Sequence, residues 1–172
     1  MKKIMINKIK SDEILSQFIV DKCCENEICV SIDTCINEDS YIIIKVDDYY
    51  NSLNLAKTPA SIDCLIINKC IENGYGLTLI ELKNITTSQS FCNDNMREKF
   101  ETTMYDFIKN KFQKVLDLDY KKIKLYFVSN KEIYKRDLGL KLETLMNIRF
   151  KFNDKTLMIE PRMPTPTIKN CY

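Results

Sequence analysis

Apolar and polar positions alternate with changing period along the chain, and the changes mark out its elements. Ser11, with Asp12 and Glu13 behind it, precedes apolar residues at Ile14, Leu15, Phe18, Ile19 and Cys23. That spacing predicts a capped amphipathic helix ending near Cys24–Asn26. Strand-like segments are expected over Ile28–Ile36 and Ser40–Val46, then a polar loop over Asp47–Pro59. Ser61–Cys70 and Tyr75–Ile85 are both rich in Ile and Leu and are separated by Glu72-Asn73-Gly74, which predicts a hairpin.

After a polar stretch over Thr86–Asn95, apolar residues recur at Met96, Phe100, Met104, Phe107, Ile108, Phe112, Val115 and Leu116. This 3.6-residue period predicts a long helix over Met96–Leu118 with its stripe toward the core. Ile123–Ser129 reads as a strand and Leu138–Met146 as a helix. Arg149–Phe152 and Thr156–Ile159 form a hairpin turning at Asn153-Asp154, and the Pro-containing tail 161–172 is extended and mobile. One α/β domain over residues 1–172 accounts for the order, with the last helix and hairpin as a small C-terminal addition.

Composition narrows the class only slightly. A chain of 172 residues, 45% hydrophobic and 29% charged, can bury about 70% of its unfolded surface and needs no staples. The longest apolar stretches, Tyr41–Ile44 and Cys64–Ile67, fall far short of the ~18 residues that span a bilayer. Met1–Lys10 has neither an apolar core nor a cleavage site, so no secretory leader and a cytoplasmic location are expected. The eight cysteines include no Cys-x-x-Cys pair, and there is no histidine. Reduced, half-buried thiols are therefore expected, with a metal on the Cys23–Cys35 cluster as the rival.

Charge is unevenly placed. Residues 1–86 carry 9 Lys+Arg against 13 Asp+Glu, and residues 87–172 carry 17 against 11. The basic run Lys109, Lys111, Lys114, Lys121, Lys122 and Lys124, with Lys131, Lys135 and Arg136, suits a phosphate backbone or a solvated face.

The chemistry sits where the two central strands should be most apolar. Asp63 interrupts Ser-Ile-Asp-Cys-Leu-Ile-Ile, and Glu81 and Lys83 interrupt Leu-Thr-Leu-Ile-Glu-Leu-Lys-Asn. Residues i and i+2 on a strand share a face, so Glu81 and Lys83 point together. A turn centred near residues 72–73 sets Asp63 across from Leu82, and a one-residue change of register sets it across from Glu81 or Lys83. Two carboxylates and an ammonium on one patch suit Mg²⁺ or Mn²⁺, which needs only one or two carboxylates plus water and phosphate.

Asp63, followed after 17 residues by Glu81-Leu82-Lys83, resembles the PD-(D/E)XK nuclease superfamily with its restriction-endonuclease-like fold. The order helix, three strands, helix, strand over residues 11–130 matches that family's αβββαβ core, a central mixed sheet flanked by helices. Pro59 is not adjacent to Asp63, and no Gln-x₃-Tyr marks the second helix. The resemblance implies that Asp63 and Glu81 ligate the metal, that the Leu82 carbonyl joins them, and that Lys83 positions the attacking water. It also implies a further acid from the first helix, for which Glu13 is the best match, ahead of Asp12 and Asp21. Thr86, Thr87 and Ser88 follow as donors to phosphate oxygens. The implied activity is a DNA endonuclease, with a homodimer as a compatible assembly for cutting two strands; RNA in place of DNA stays open, because nothing in the sequence reads a 2′-hydroxyl. The alternative is a catalytically inactive nucleic-acid-binding module on the same fold.

Overall fold

A computed structural model describes residues 4–84, 93–130 and 136–171. The centre is a seven-stranded mixed sheet in the order β1-β4-β5-β6-β7-β9-β8. β4 (Tyr41–Lys45), β5 (Cys64–Lys69) and β6 (Tyr75–Lys83) form an antiparallel meander. β7 (Lys122–Ser129) runs parallel to β6, and β9 (Lys155–Arg162) runs parallel to β7. The edges are β1 (Ile19–Val20) and β8 (Arg149–Phe152).

Both faces of the meander are covered, which is why its strands read as unbroken apolar runs rather than as alternation. Leu65, Ile67, Leu77, Leu79, Leu125 and Phe127 face the helices α1 (Ile4–Ser11), α2 (Val46–Ser52), α3 (Asn93–Glu101) and α5 (Arg136–Met146). Ile66, Ile80, Leu82 and Val128 face a second, three-stranded sheet. That sheet consists of β2 (Cys23–Glu25), β3 (Ile28–Ile32) and β10 (Thr167–Ile168) in the order β10-β3-β2. These four helices thus pack on one side of the main sheet, and β-structure replaces them on the other.

The long helix holds its expected stripe. Met96, Phe100, Met104, Phe107, Ile108, Phe112 and Leu116 are all buried. Its middle, Thr102–Lys111, is wound as a π-helix, and a last α-turn, α4 (Gln113–Leu116), follows. The hairpin at Asn153-Asp154 is also present, with both turn residues in the left-handed region (φ 48° and 58°), as a two-residue turn with right-handed twist requires.

Other expectations are corrected. The first helix lies earlier, over Ile4–Ser11, where Met5, Ile6 and Ile9 make the buried face. The stretch read as helix instead breaks at Asp12, whose Oδ1 accepts from the backbone N–H of Ile14 and Leu15 (3.0 and 2.9 Å). One 3₁₀ turn over Leu15–Phe18 follows, then Ile19 and Val20 pair with Ile44 and Ile43. Sheet pairing there outweighs a helical period. The polar segment after β4 is not all loop, because Val46, Tyr49 and Tyr50 bury one side of α2.

The C-terminal segment is no appendage: β9 pairs with β7 inside the main sheet. The tail is held as well. Thr167 and Ile168 pair with Ser31 and Ile32, and Cys171 is bonded to Cys70. Six of the cysteines are not reduced thiols, since Cys23–Cys64 and Cys24–Cys29 are also disulfides. Among the described residues Cys35 is the free cysteine, and it is exposed. Also among them, no helix is long and apolar enough to cross a membrane.

Candidate active site

The β5–β6 hairpin decides the geometry. Cys64 pairs with Ile80 and Lys69 with Tyr75, one residue away from the register that centres the turn on residues 72–73. Asp63, just ahead of β5, therefore falls across from Glu81. Its backbone carbonyl accepts from Val46 N–H (2.9 Å), and its Oδ2 accepts from Leu82 N–H (2.6 Å). These two bonds fix both the main chain and the carboxyl orientation.

Glu81 has the parity of Leu77 and Leu79 and so points to the helix side of the sheet. It is 1% exposed, and Asp63 is 5% exposed. Lys99 of α3 reaches down to it, with Nζ 2.6 Å from Oε1. Lys83, half-buried and two positions along β6, acts electrostatically on the same carboxylate. Asp63, Glu81 and Lys83 line one cleft of about 260 Å³ together with Glu25, Asp47 and Lys99.

Burial is the main force on the charges here. It pushes the Asp63 carboxyl up, with Glu81 beside it adding to the rise, to about 9; Leu82 N–H and Lys99 oppose this only in part. Burial also raises Glu81 against the pull of Lys99, Asp63 and Lys83. Burial works against the charge on Lys99, but Glu81, Asp63 and Glu25 outweigh it and hold the ammonium above its ordinary range. Burial and mutual repulsion both disfavour charging the two acids at once, and Lys99 offsets part of the charge.

Two oxygens of the cleft, Asp47 Oδ1 and Glu81 Oε2, are buried without a hydrogen-bond partner, and of these Asp47 Oδ1 has Lys45 Nζ 3.3 Å away. An orphaned carboxylate oxygen in a buried site costs free energy unless something cationic or protic meets it. Among the described residues no three acidic or cysteine side chains stand close enough to hold a metal ion by themselves. Mg²⁺ asks for less, since one or two carboxylates plus water and phosphate suffice. Asp63, Glu81 and the Leu82 backbone fit that smaller demand.

Not every expected residue joins. Glu13 is exposed, in the turn after α1, and does not line the cleft; Asp12 is used as a cap and Asp21 is exposed. Thr86, Thr87 and Ser88 lie outside the described residues, as do Lys131 and Lys135. Lys109 is committed elsewhere, paired with Asp117 at 2.5 Å and lying over the Phe152 ring. Lys121 and Lys122 sit at the far end of the sheet. Lys122 pairs with Gly76, five positions from the level of Glu81, or roughly 17 Å at the usual strand rise. Lys122 and Lys124 also have the parity of Tyr126, which faces the small sheet. Lys124 donates to Tyr126 Oη (2.9 Å). These lysines form no continuous track with the cleft.

Three site residues escaped the sequence reading. Lys99 carried a signal, because it stands at a core-facing position of the Met96–Phe100–Thr103 stripe, where an ammonium needs a buried partner. Asp47 and Glu25 carried none. Asp47 reaches the cleft because α2 starts directly after β4, and it pairs with Lys45 (3.3 Å). Glu25 arrives on the β2–β3 hairpin, whose turn is tied to the site by Asn84 Nδ2 donating to the Asn26 carbonyl (3.5 Å).

Compared with family models, with curated proteins and with solved structures, the chain matches none of them.

Proposed function

We propose that the chain is a divalent-metal-dependent endonuclease that hydrolyses DNA phosphodiesters, of the PD-(D/E)XK type with its restriction-endonuclease-like core. The observation that carries the reading is the gathering of Asp63, Glu81 and Lys83 in one cleft, with a buried Glu81 oxygen lacking a hydrogen-bond partner. Within the order α1, β1, β2, β3, β4, α2, β5, β6, α3, α4, β7, the antiparallel run β4, β5, β6 followed by α3 and a parallel β7 supports it.

Asp63, Glu81 and the Leu82 carbonyl would hold Mg²⁺ or Mn²⁺. When bound, the cation would supply a more acidic water and offset charge on the phosphoryl oxygens. The chain's own groups do the rest. Leu82 N–H orients Asp63, and Lys99 balances the second carboxylate without leaving α3. The Lys83 ammonium orients the attacking water and stabilises negative charge growing on the phosphate. DNA is the proposed partner, with RNA as the alternative to it. Homodimerisation would supply a second cleft for the second strand. The cytoplasm is the proposed location on the sequence alone; the three disulfides stand against it, because thiol pools there keep cysteines reduced.

Purified protein with Mg²⁺ or Mn²⁺ is expected to cut supercoiled plasmid, single strands or branched DNA. Asp63→Ala and Lys83→Ala are expected to abolish cutting while keeping the fold by circular dichroism. Full cutting by either folded variant would refute the assignment. One observation favours a non-catalytic nucleic-acid-binding module instead: Lys99 already occupies one oxygen of Glu81. DNA binding by the wild type with no cutting under any metal would select that reading.

A further inference from the structure

The three-stranded sheet covers only part of the main sheet's second face. Its buried cluster takes in Ile43, Ile66, Ile80, Tyr126 and Val128, from β4 to β7, and no residue of β8 or β9. Beyond β7 that face is open. Tyr126 pairs with Glu160 and Val128 with Arg162, so the even positions of β9 share the face of Tyr126. Arg149 and Lys151 of β8 pair with Met158 and Thr156 and share it too. Arg149, Lys151, Thr156, Met158 and Arg162 are exposed, whereas Phe150, Phe152, Leu157 and Ile159 on the helix side are buried.

Cations dominate this face. Lys122 and Lys124 stand on it from β7, Arg149 and Lys151 from β8 and Arg162 from β9. Lys169, just after β10, lines one depression with Lys122 and Lys124. The acid among them is Glu160, which pairs with Arg162 (2.5 Å). Lys122, Lys151 and Lys169 are exposed and have no acidic partner among the described residues. Lys124 donates to Tyr126 Oη (2.9 Å), and Arg149 Nη1 donates to the Met146 carbonyl (2.8 Å). Elsewhere lysines face acids directly, as Lys45, Lys99, Lys109 and Lys155 do with Asp47, Glu81, Asp117 and Asp119. Like charges gathered without counter-charge repel one another, and a polyanion relieves them.

Spacing narrows the polyanion. Carried down the strands, the β7–β9–β8 register sets Lys122, Thr156 and Lys151 at one level and Lys124, Met158 and Arg149 at the next. Successive levels lie about 7 Å apart, and β7 and β8 lie about 10 Å apart across β9. Two steps of a DNA duplex advance by about the same 7 Å, since backbone charge recurs every ~3.4 Å per strand. The Tyr126 ring is 3% exposed and lies under Lys124 and Arg162, which denies unpaired bases a stacking surface there. Met158 is the exposed large apolar side chain of these levels, too little to seat in a lipid interface.

We propose that the open face of β7, β9 and β8 docks the phosphate backbone of double-stranded DNA, as a second binding surface apart from the cleft. Contacts of this kind position a duplex without reading its sequence. Glu81 points to the helix side of the sheet, so this face needs neither a cation nor catalysis and stands whether or not the cleft cuts.

The test is binding of a short labelled duplex by the full chain, followed by fluorescence anisotropy across a salt series in chelator. Lys122→Gln/Lys151→Gln/Lys169→Gln removes three charges from the face. Lys8→Gln/Lys57→Gln/Lys114→Gln removes the same number from α1, the loop after α2 and α4, all at exposed positions. The face variant is expected to bind at least ~10-fold more weakly than wild type, and its slope of log affinity on log salt to fall by about 3. The control is expected to stay within about twofold of wild type, and wild type to prefer duplex over a single strand of equal length. Equal binding by the face variant and wild type, or an equal loss in the control, overturns the proposal. So does a single strand or an anionic phosphatidylserine vesicle bound as tightly as the duplex. Duplex binding without cutting when Mg²⁺ is restored would sink the endonuclease reading and leave this face standing.

Discussion

Replacing Lys99 by Met isolates the electrostatics of the site without emptying the space the side chain fills. In the wild type the ammonium lies 2.6 Å from Glu81 Oε1, and the two side chains are 20% and 1% exposed. Removing one member of a buried ion pair leaves the other charged and unsolvated, at a cost of about 3–5 kcal/mol. Lys99 keeps some water contact, which places the expected loss near the lower bound, about 3 kcal/mol at pH 8. The loss should shrink as pH falls toward 5, because the abandoned Glu81 carboxyl can take up a proton. The double variant Lys99→Met/Glu81→Gln should recover most of the stability, since neither charge then has to be buried. Urea denaturation in chelator at both pH values, with unchanged m, measures all three. A cost below about 1 kcal/mol at pH 8, equal at pH 5, would refute the claim that burial governs this site.

Asp63 has a folded-state pKa above its ordinary 3.8, so between about pH 4 and 9 the folded protein holds a proton that the unfolded chain has released. Stability of the metal-free protein should therefore fall as pH rises through that window, by about 1.4 kcal/mol per unit for this one proton. Asp63→Asn should lose that component of the slope, as read from denaturation midpoints across the range. Cys70→Ser/Cys171→Ser opens a covalent loop of sequence separation 101 and should cost about 4 kcal/mol, visible in chemical denaturation. Tyr50, fully buried, donates to Asp106 Oδ2 at 2.7 Å, so Tyr50→Phe should cost about 2 kcal/mol in the same assay.

The long helix and the β5–β6 hairpin were legible because their signals are local. A buried stripe from Met96 to Leu116 is a 3.6-residue period whatever lies beside it, and Asn73-Gly74 between two apolar runs is a turn. The pairing of Asp63 with Glu81 was legible to within one residue, and that residue separates a shared face from opposite faces. The first helix was misplaced because Ile14, Leu15, Phe18 and Ile19 satisfy a helical period by accident. Their neighbours chose otherwise: Ile19 pairs with Ile44, and Ile14 stays exposed.

The chain's own pattern of residues determined which strands would be buried, where the central hairpin turns, and that Asp63, Glu81 and Lys83 stand among apolar neighbours. Those are consequences of side-chain type at short separation. Tertiary structure alone decided that Lys99 meets Glu81, that Glu25 lines the same cleft as Asp63, that β9 enters the main sheet and that six cysteines pair. Each joins segments far apart in sequence or on separate elements, and is set by how two covered faces of one sheet pack, which no local period records.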